Sequence, residues 1–119
     1  MTRMKLEFLQ DRVAGASKLL KAMSNRHRLL ILCQLVQGEK CVGELEAVVG
    51  LSQSALSQHL ARLRRDAFVK TRRSAQTIYY SLAGEEAGAV IRTLYDLYCN
   101  PPTKISYGTE PSSRTAAAP

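Results

Sequence analysis

Through the first half of this chain the apolar residues recur at helical spacing. Leu9, Val13, Leu19, Leu20 and Met23 form a loose stripe that predicts a helix from about Leu6 to Met23. Ser24 is the expected cap of a second helix, Asn25 to Val36, with Leu29, Leu32, Cys33, Leu35 and Val36 on its apolar side. Gly38-Glu39-Lys40 is a turn signal. Val42 to Val49 predicts a short helix with Leu45, Val48 and Val49 inward, and Gly50 suits its C-terminal cap. Leu56, Leu60 and Leu63 then mark a further helix, opened by Ser52 at a natural N-cap position. Two helices joined by so tight a turn read as a helix-turn-helix.

After Asp66 the period changes to two. Phe68 to Arg73 and Gln76 to Leu82 are β-branched and aromatic with alternation, and Ser74-Ala75 sits between them. This predicts a β-hairpin with Arg72, Arg73 and Gln76 at its tip, which after a helix-turn-helix reads as a wing. Glu85 to Cys99 returns to helix, with Val90, Ile91, Leu94, Tyr95 and Tyr98 on one face, and Asn100-Pro101-Pro102 stops it. The rest is rich in Ser, Thr, Pro, Ala and Gly and is expected to be disordered. The fold class predicted is mainly α with a small β-hairpin: a winged helix-turn-helix. Residues 1–100 are expected to form the DNA-binding and dimerisation domain, and 101–119 a tail. The first and last helices are more apolar than a small domain needs to cover itself, which predicts a two-fold dimer.

Composition narrows the partners. A chain of 119 residues suits one domain. Its net charge of +7 favours phosphate-rich partners, because each neutralised phosphate releases counterions. No apolar run approaches a membrane span, and the first ten residues lack the apolar segment of a secretory signal. A cytoplasmic protein with no membrane partner is expected.

The candidate chemistry lies on the helix after Ser52. Ser54, Gln58, Ala61 and Arg65 fall opposite its apolar stripe, flanked by Ser57 and Arg62. Such a face, polar and free of acids, can enter a major groove and hydrogen-bond to base edges. Gln53, Ser54, Ser57 and Gln58 are the expected base readers, and Arg62, Arg65, Arg72 and Arg73 the expected phosphate contacts, with Gln76 beside them on the wing. His59, at the edge of the apolar stripe, is expected to support the helix or touch a phosphate. His27 lies at a helix start between Arg26 and Arg28. No nucleophile–base pair, Gly-rich phosphate loop or carboxylate cluster stands out, so neither an enzyme nor a cofactor is expected.

Three cysteines, Cys33, Cys41 and Cys99, are widely spaced with no CxxC. Cys33 sits on an apolar stripe, where a cysteine is ordinarily a small inert core residue. Cys99 lies at a helix end. Cys41 precedes the short helix, whose dipole favours a thiolate.

The order of these elements resembles the ArsR family of bacterial winged-helix repressors over about Leu19 to Cys99. The resemblance is carried by Leu19-Leu-Lys-Ala-Met-Ser24, Arg28-Leu-Leu-Ile-Leu-Cys33, Leu51-Ser-Gln-Ser-Ala-Leu-Ser-Gln-His-Leu60 and Thr77-Ile-Tyr-Tyr-Ser-Leu82. It implies a homodimer on double-stranded operator DNA. Metal-sensing members carry Cys-Val-Cys at the start of the short helix; here Cys41 is present but Gly43 stands where the second thiolate should be. Soft metals need two or three converging thiolates, so no metal site is expected there. Another metal-sensing branch uses His and carboxylates along the last helix, which here has Glu85, Glu86 and Asp96 but no His. Cys33 with Cys99 resembles the dithiol branch, which senses persulfides. That resemblance implies redox sensing: reactive sulfur species bridge the two cysteines within one subunit, and DNA affinity falls. The expected function is thus a dimeric transcriptional repressor released by dithiol oxidation. A metal- or arsenic-responsive repressor, an antirepressor and a protein-interaction module without specific DNA are the alternatives.

Overall fold

The computed structural model describes residues 6–99. The stop at Asn100-Pro101-Pro102 and the tail over 101–119 lie outside the described residues. The element order is α1 (Leu6–Met23), α2 (Arg26–Val36), β1 (Lys40–Cys41), α3 (Val42–Val49), α4 (Gln53–Arg65), β2 (Val69–Ser74), β3 (Thr77–Leu82) and α5 (Glu86–Tyr98). Five helices and a small antiparallel sheet make a winged helix-turn-helix, as the pattern of apolar positions predicts.

Helix boundaries follow local chemistry. Asn25, rather than Ser24, caps α2: its extended backbone lets its Oδ1 accept from the amides of His27 (2.9 Å) and Arg28 (3.1 Å). The Ser24 hydroxyl instead donates back to the Lys21 carbonyl at 2.8 Å, closing α1. Gly50 ends α3 at φ 78°, a left-handed conformation that glycine adopts without a Cβ clash. Two residues later Ser52 opens α4, its hydroxyl accepting from the Ala55 amide at 3.1 Å. Helix α4 stops in a Schellman-type turn. Ala67 takes φ 64°, and the Phe68 amide reaches the Leu63 carbonyl at 2.9 Å. A left-handed alanine costs about 1 kcal/mol or more, so this sharp exit towards the wing is held by its surroundings.

The sheet order is β1-β3-β2. In the hairpin Val69 pairs with Leu82, Thr71 with Tyr80, Arg72 with Tyr79 and Arg73 with Ile78. The turn is Ala75-Gln76, with Ala75 at φ 59°, one residue later than Ser74-Ala75. Lys40 and Cys41, expected to follow or end a turn, form a third strand against Tyr80 and Tyr79. A two-residue strand is too short to show alternation. It exists because β3 offers it an unpaired edge.

The core joins all the long elements. Ala22 and Met23 of α1, Ile31, Leu32 and Leu35 of α2, Leu45 of α3, Leu56, Leu60 and Leu63 of α4, Val69 of β2 and Ile91 of α5 are buried together. The stripe of α4 therefore plugs the helix-turn-helix into the domain and leaves its other side outward. By contrast Leu6, Leu9, Val13 and Leu20 remain exposed, as do Tyr95 and Tyr98, and Val48, expected inward, is exposed as well. Among the described residues, only the C-terminal end of α1 is buried against the rest of the domain.

Candidate nucleic-acid interface and thiol pair

Helix α4 buries Leu56, Leu60 and Leu63 and exposes Gln53, Ser54, Ser57, Gln58, Ala61, Arg64 and Arg65. The four expected base readers are thus outward on one helix with a capped N-terminus. Small side chains near the start let that end approach a surface closely. Arg64 and Arg65, the paired arginines that end this helix and suit phosphates, are both outward. Arg62 is more withdrawn: its Nε donates to Asp66 Oδ2 at 3.2 Å, and its side chain is 35% exposed.

On the wing, Arg73 and Gln76 are exposed. Arg72 is engaged. Its Nε donates to Glu39 Oε2 at 2.9 Å and its Nη2 to Glu39 Oε1 at 2.7 Å, while the guanidinium lies 4.8 Å from the centre of the Tyr79 ring. The fork geometry suits a carboxylate. The hydrogen bond from Arg72 holds the Glu39 carboxyl below the usual carboxylate range. Glu39 was not singled out from sequence, because its partner is brought near only by the sheet.

His59 lies on the inner flank of α4, half-buried, with its ring centre 5.7 Å from that of His27. Beneath them Arg28 donates to the Ala22 carbonyl (2.9 Å) and the Lys21 carbonyl (3.2 Å), answering the C-terminal end of α1. Burial, then Arg28 and His27, lower the proton affinity of His59 from the ordinary value of 6.5. Arg62 and Asp66 are the other charged groups of this junction, since both act on Arg28. A histidine whose folded pKa is depressed contributes stability that is full above its unfolded pKa. That stability is lost as pH falls from 6.5 through the folded value. The melting temperature should therefore drop as pH is lowered below 6.5, and His59→Gln should flatten that drop. An unaltered pH dependence in His59→Gln would remove His59 from the acid response.

The thiols sit on different elements. Cys33 on α2 is half-buried and packs against the core, and Cys99 is the exposed C-cap of α5, its amide donating to the Tyr95 carbonyl at 2.8 Å. Helices α2 and α5 pack together. Burial pushes the Cys33 thiol up, and so does the nearby charge of Cys99. Both are free thiols. Cys41, half-buried at the N-cap of α3, donates its amide to Glu44 Oε1 at 2.9 Å. Gly43 beside it is exposed. Among the described residues no group of three His, Cys, Asp or Glu side chains converges to hold a metal, and no helix is long and apolar enough to cross a membrane.

Comparison with known proteins gives this geometry its context. Residues 25–71 match the model of the bacterial regulatory protein arsR family. The chain is 53% identical over 96 residues to the transcriptional activator HlyU of Vibrio cholerae, covering 81% of this chain and 89% of that protein. The structure of reduced HlyU from that organism superposes with a TM-score of 0.74 over 78% of this chain and 98% of that one. The transcriptional repressor BigR of Xylella fastidiosa is 40% identical with a TM-score of 0.73, over 81% of this chain and 98% of that one. A homodimeric winged helix-turn-helix DNA-binding domain from Mycobacterium bovis is 26% identical with a TM-score of 0.68, over 82% and 89%. With an acid-free outward face on α4, a wing beside it and relatives that are transcriptional regulators, the chain belongs to the ArsR family of DNA-binding bacterial transcriptional regulators.

Proposed function

We propose that residues 1–100 form a DNA-binding and dimerisation domain, and that the protein is a repressor. In this reading it binds operator DNA as a two-fold dimer and is released when persulfides or related reactive sulfur species oxidise Cys33 and Cys99. The observation that carries the proposal is the placement of these two cysteines. Cys33 lies on α2 and Cys99 caps α5, which packs against α2; one thiol is exposed and the other sheltered. The exposed thiol suits attack on an incoming sulfur, and the sheltered one suits the resolving step. The name of BigR, a repressor, and the homodimeric neighbour from Mycobacterium bovis support repression and pairing.

DNA contact follows the outward residues. Gln53, Ser54, Ser57 and Gln58 read base edges, and Arg65 and Arg73 meet phosphates, with Gln76 on the wing tip. Arg62 and Arg72 reach phosphates only by releasing Asp66 and Glu39. His59 braces α4 against α2. A mobility shift on the DNA upstream of the coding region, with and without persulfide, tests the whole reading. Reduced protein should bind tightly and treated protein weakly. Gln58→Ala should cost about 1–3 kcal/mol of discrimination at one base pair and leave binding to unrelated DNA unchanged. Unaltered sequence preference in Gln58→Ala would move base reading off this helix face.

A further inference from the structure

The two histidines of the chain meet across the joint between α2 and α4. His27 is the second residue of α2 and His59 stands midway along α4. Their ring centres lie 5.7 Å apart, with the planes inclined at 34°. We propose that this pair is an acid-sensitive latch. While both rings are neutral, α4 stays seated and the protein holds DNA. When they take up protons, the two helices are driven apart and DNA is released, with no change at the thiols. The proposal rests on the reading of α4 as the groove-entering helix and adds a second signal, the proton, which that reading does not contain.

Three observations carry it. The first is leverage. His59 adjoins Leu60 and lies within about a turn of Leu56 and Leu63, the stripe by which α4 is held to the domain. Both rings are half-buried, so a charge on either is only partly hydrated. The second is the charge already present. Arg28 is tied down by the Ala22 carbonyl at 2.9 Å and the Lys21 carbonyl at 3.2 Å, so it does not swing away from an added charge. Lys21 is the basic residue in the last turn of α1, and the first turn of α2 holds Arg26 and no acid. From α4 comes Arg62, and the carboxylate that answers Arg28, Asp66, is already held by Arg62 at 3.2 Å. Among the described residues no charge from α3, α5 or the hairpin acts on His59 or Arg28. A proton on His59 therefore meets Arg28 and His27 and no unengaged acid. Burial, together with these two neighbours, lowers its proton affinity. The seated joint thus prefers the neutral ring, and by linkage a bound proton favours the displaced one. The third is direction. His59 is on the inner flank of α4, turned from the outward Ser54, Ala61 and Arg65. A duplex on that outward face lies across the helix from the ring and leaves its charge unanswered.

The test uses the full chain, kept reduced, and a duplex selected from a random pool for tight binding at about pH 7.5. Affinity is followed down to about pH 5.5 at fixed ionic strength, within the range where far-ultraviolet circular dichroism shows the helices intact. Each protein is compared with itself at the starting pH. The native protein should lose affinity on the order of three- to tenfold as pH falls below 6.5. The double variant His27→Gln, His59→Gln should keep a constant affinity over the same range. A second measurement needs no variant. In the free native protein, the His59 ring resonances and the amide resonances of α4, read by NMR, should shift with one midpoint. An affinity that stays constant or rises in acid would overturn the latch. So would an unaltered fall in the double variant, or α4 amides that ignore the titration of His59. Each of these leaves the reading of α4 intact. A native protein that enriches no duplex from the pool would overturn that reading, and the latch with it.

Discussion

Cys33→Ser and Cys99→Ser should each bind operator DNA as the native protein does and keep that binding after persulfide treatment, whereas Cys41→Ser should still let go. The chemistry divides the labour between two environments. In the proposed switch, the exposed Cys99 thiolate would attack the outer sulfur of a hydropersulfide RSSH, take it up as Cys99–S–SH and expel the thiolate RS⁻. The Cys33 thiolate then attacks the inner sulfur of that persulfide and expels hydrosulfide, leaving a disulfide. The dithiol loses two electrons, which the sulfane sulfur carries away as hydrosulfide. Burial pushes the Cys33 thiol up, which would restrain it until a persulfide formed beside it.

A disulfide holds its Cα atoms at about 4.4–6.8 Å, so bridging imposes a separation on α2 and α5 that free thiols need not adopt. A hundredfold loss of DNA affinity corresponds to about 2.8 kcal/mol, within the usual range of coupling between distant sites. Mobility shifts with intact-mass measurement of each variant check both halves of the statement. A Cys99→Ser protein that still releases DNA on persulfide treatment would sink the dithiol mechanism and direct attention to Cys41.

The second large effect concerns assembly. Leu6, Leu9, Val13 and Leu20 fall on one line of α1 at spacings of three, four and seven, and all are exposed, as are Tyr95 and Tyr98 on α5. Among the described residues of one copy of the chain, nothing covers them. A second copy would, and it would place two α4 helices about one DNA turn apart for paired half-sites. Val13 is 55% exposed, so Val13→Asp leaves the core untouched and should barely change folding. It should nevertheless shift the protein from dimer to monomer in sedimentation and lower operator affinity by roughly a hundredfold or more, because one half-site alone then holds it. A native protein that sediments as a monomer at micromolar concentration would rule the dimer out, and a dimeric Val13→Asp would move the interface off this line.

Most of the fold was legible because helix periodicity survives in short windows. The stripe of Leu56, Leu60 and Leu63 located α4 and oriented its outward face without any tertiary information. Gly50 and Ser52 marked the tight turn by backbone chemistry alone. What was not legible arises from contacts distant in the chain. Strand β1 is two residues long and owes its existence to the edge of β3. The clamp of Arg72 by Glu39 joins residues on separate elements, and no local pattern announces it. Capping by Asn25 instead of Ser24 turns on which of two adjacent polar residues takes an extended backbone.

The carboxylates already held against Arg62 and Arg72 bear on how such a protein searches a chromosome. Sequence-independent grip grows with every cation offered to the backbone, and a regulator faces on the order of a million or more competing sites. Too strong a grip would strand it far from its target. Two arginines that must first surrender an acid partner add little to a chance encounter with arbitrary DNA. On the proposed reading they would become available only where the fit is close and lasting enough to displace Asp66 and Glu39. If Arg62 and Arg72 meet phosphates as proposed, Glu39 and Asp66 would act as governors of residence time, shortening the stay at wrong sites and hastening arrival at the right one.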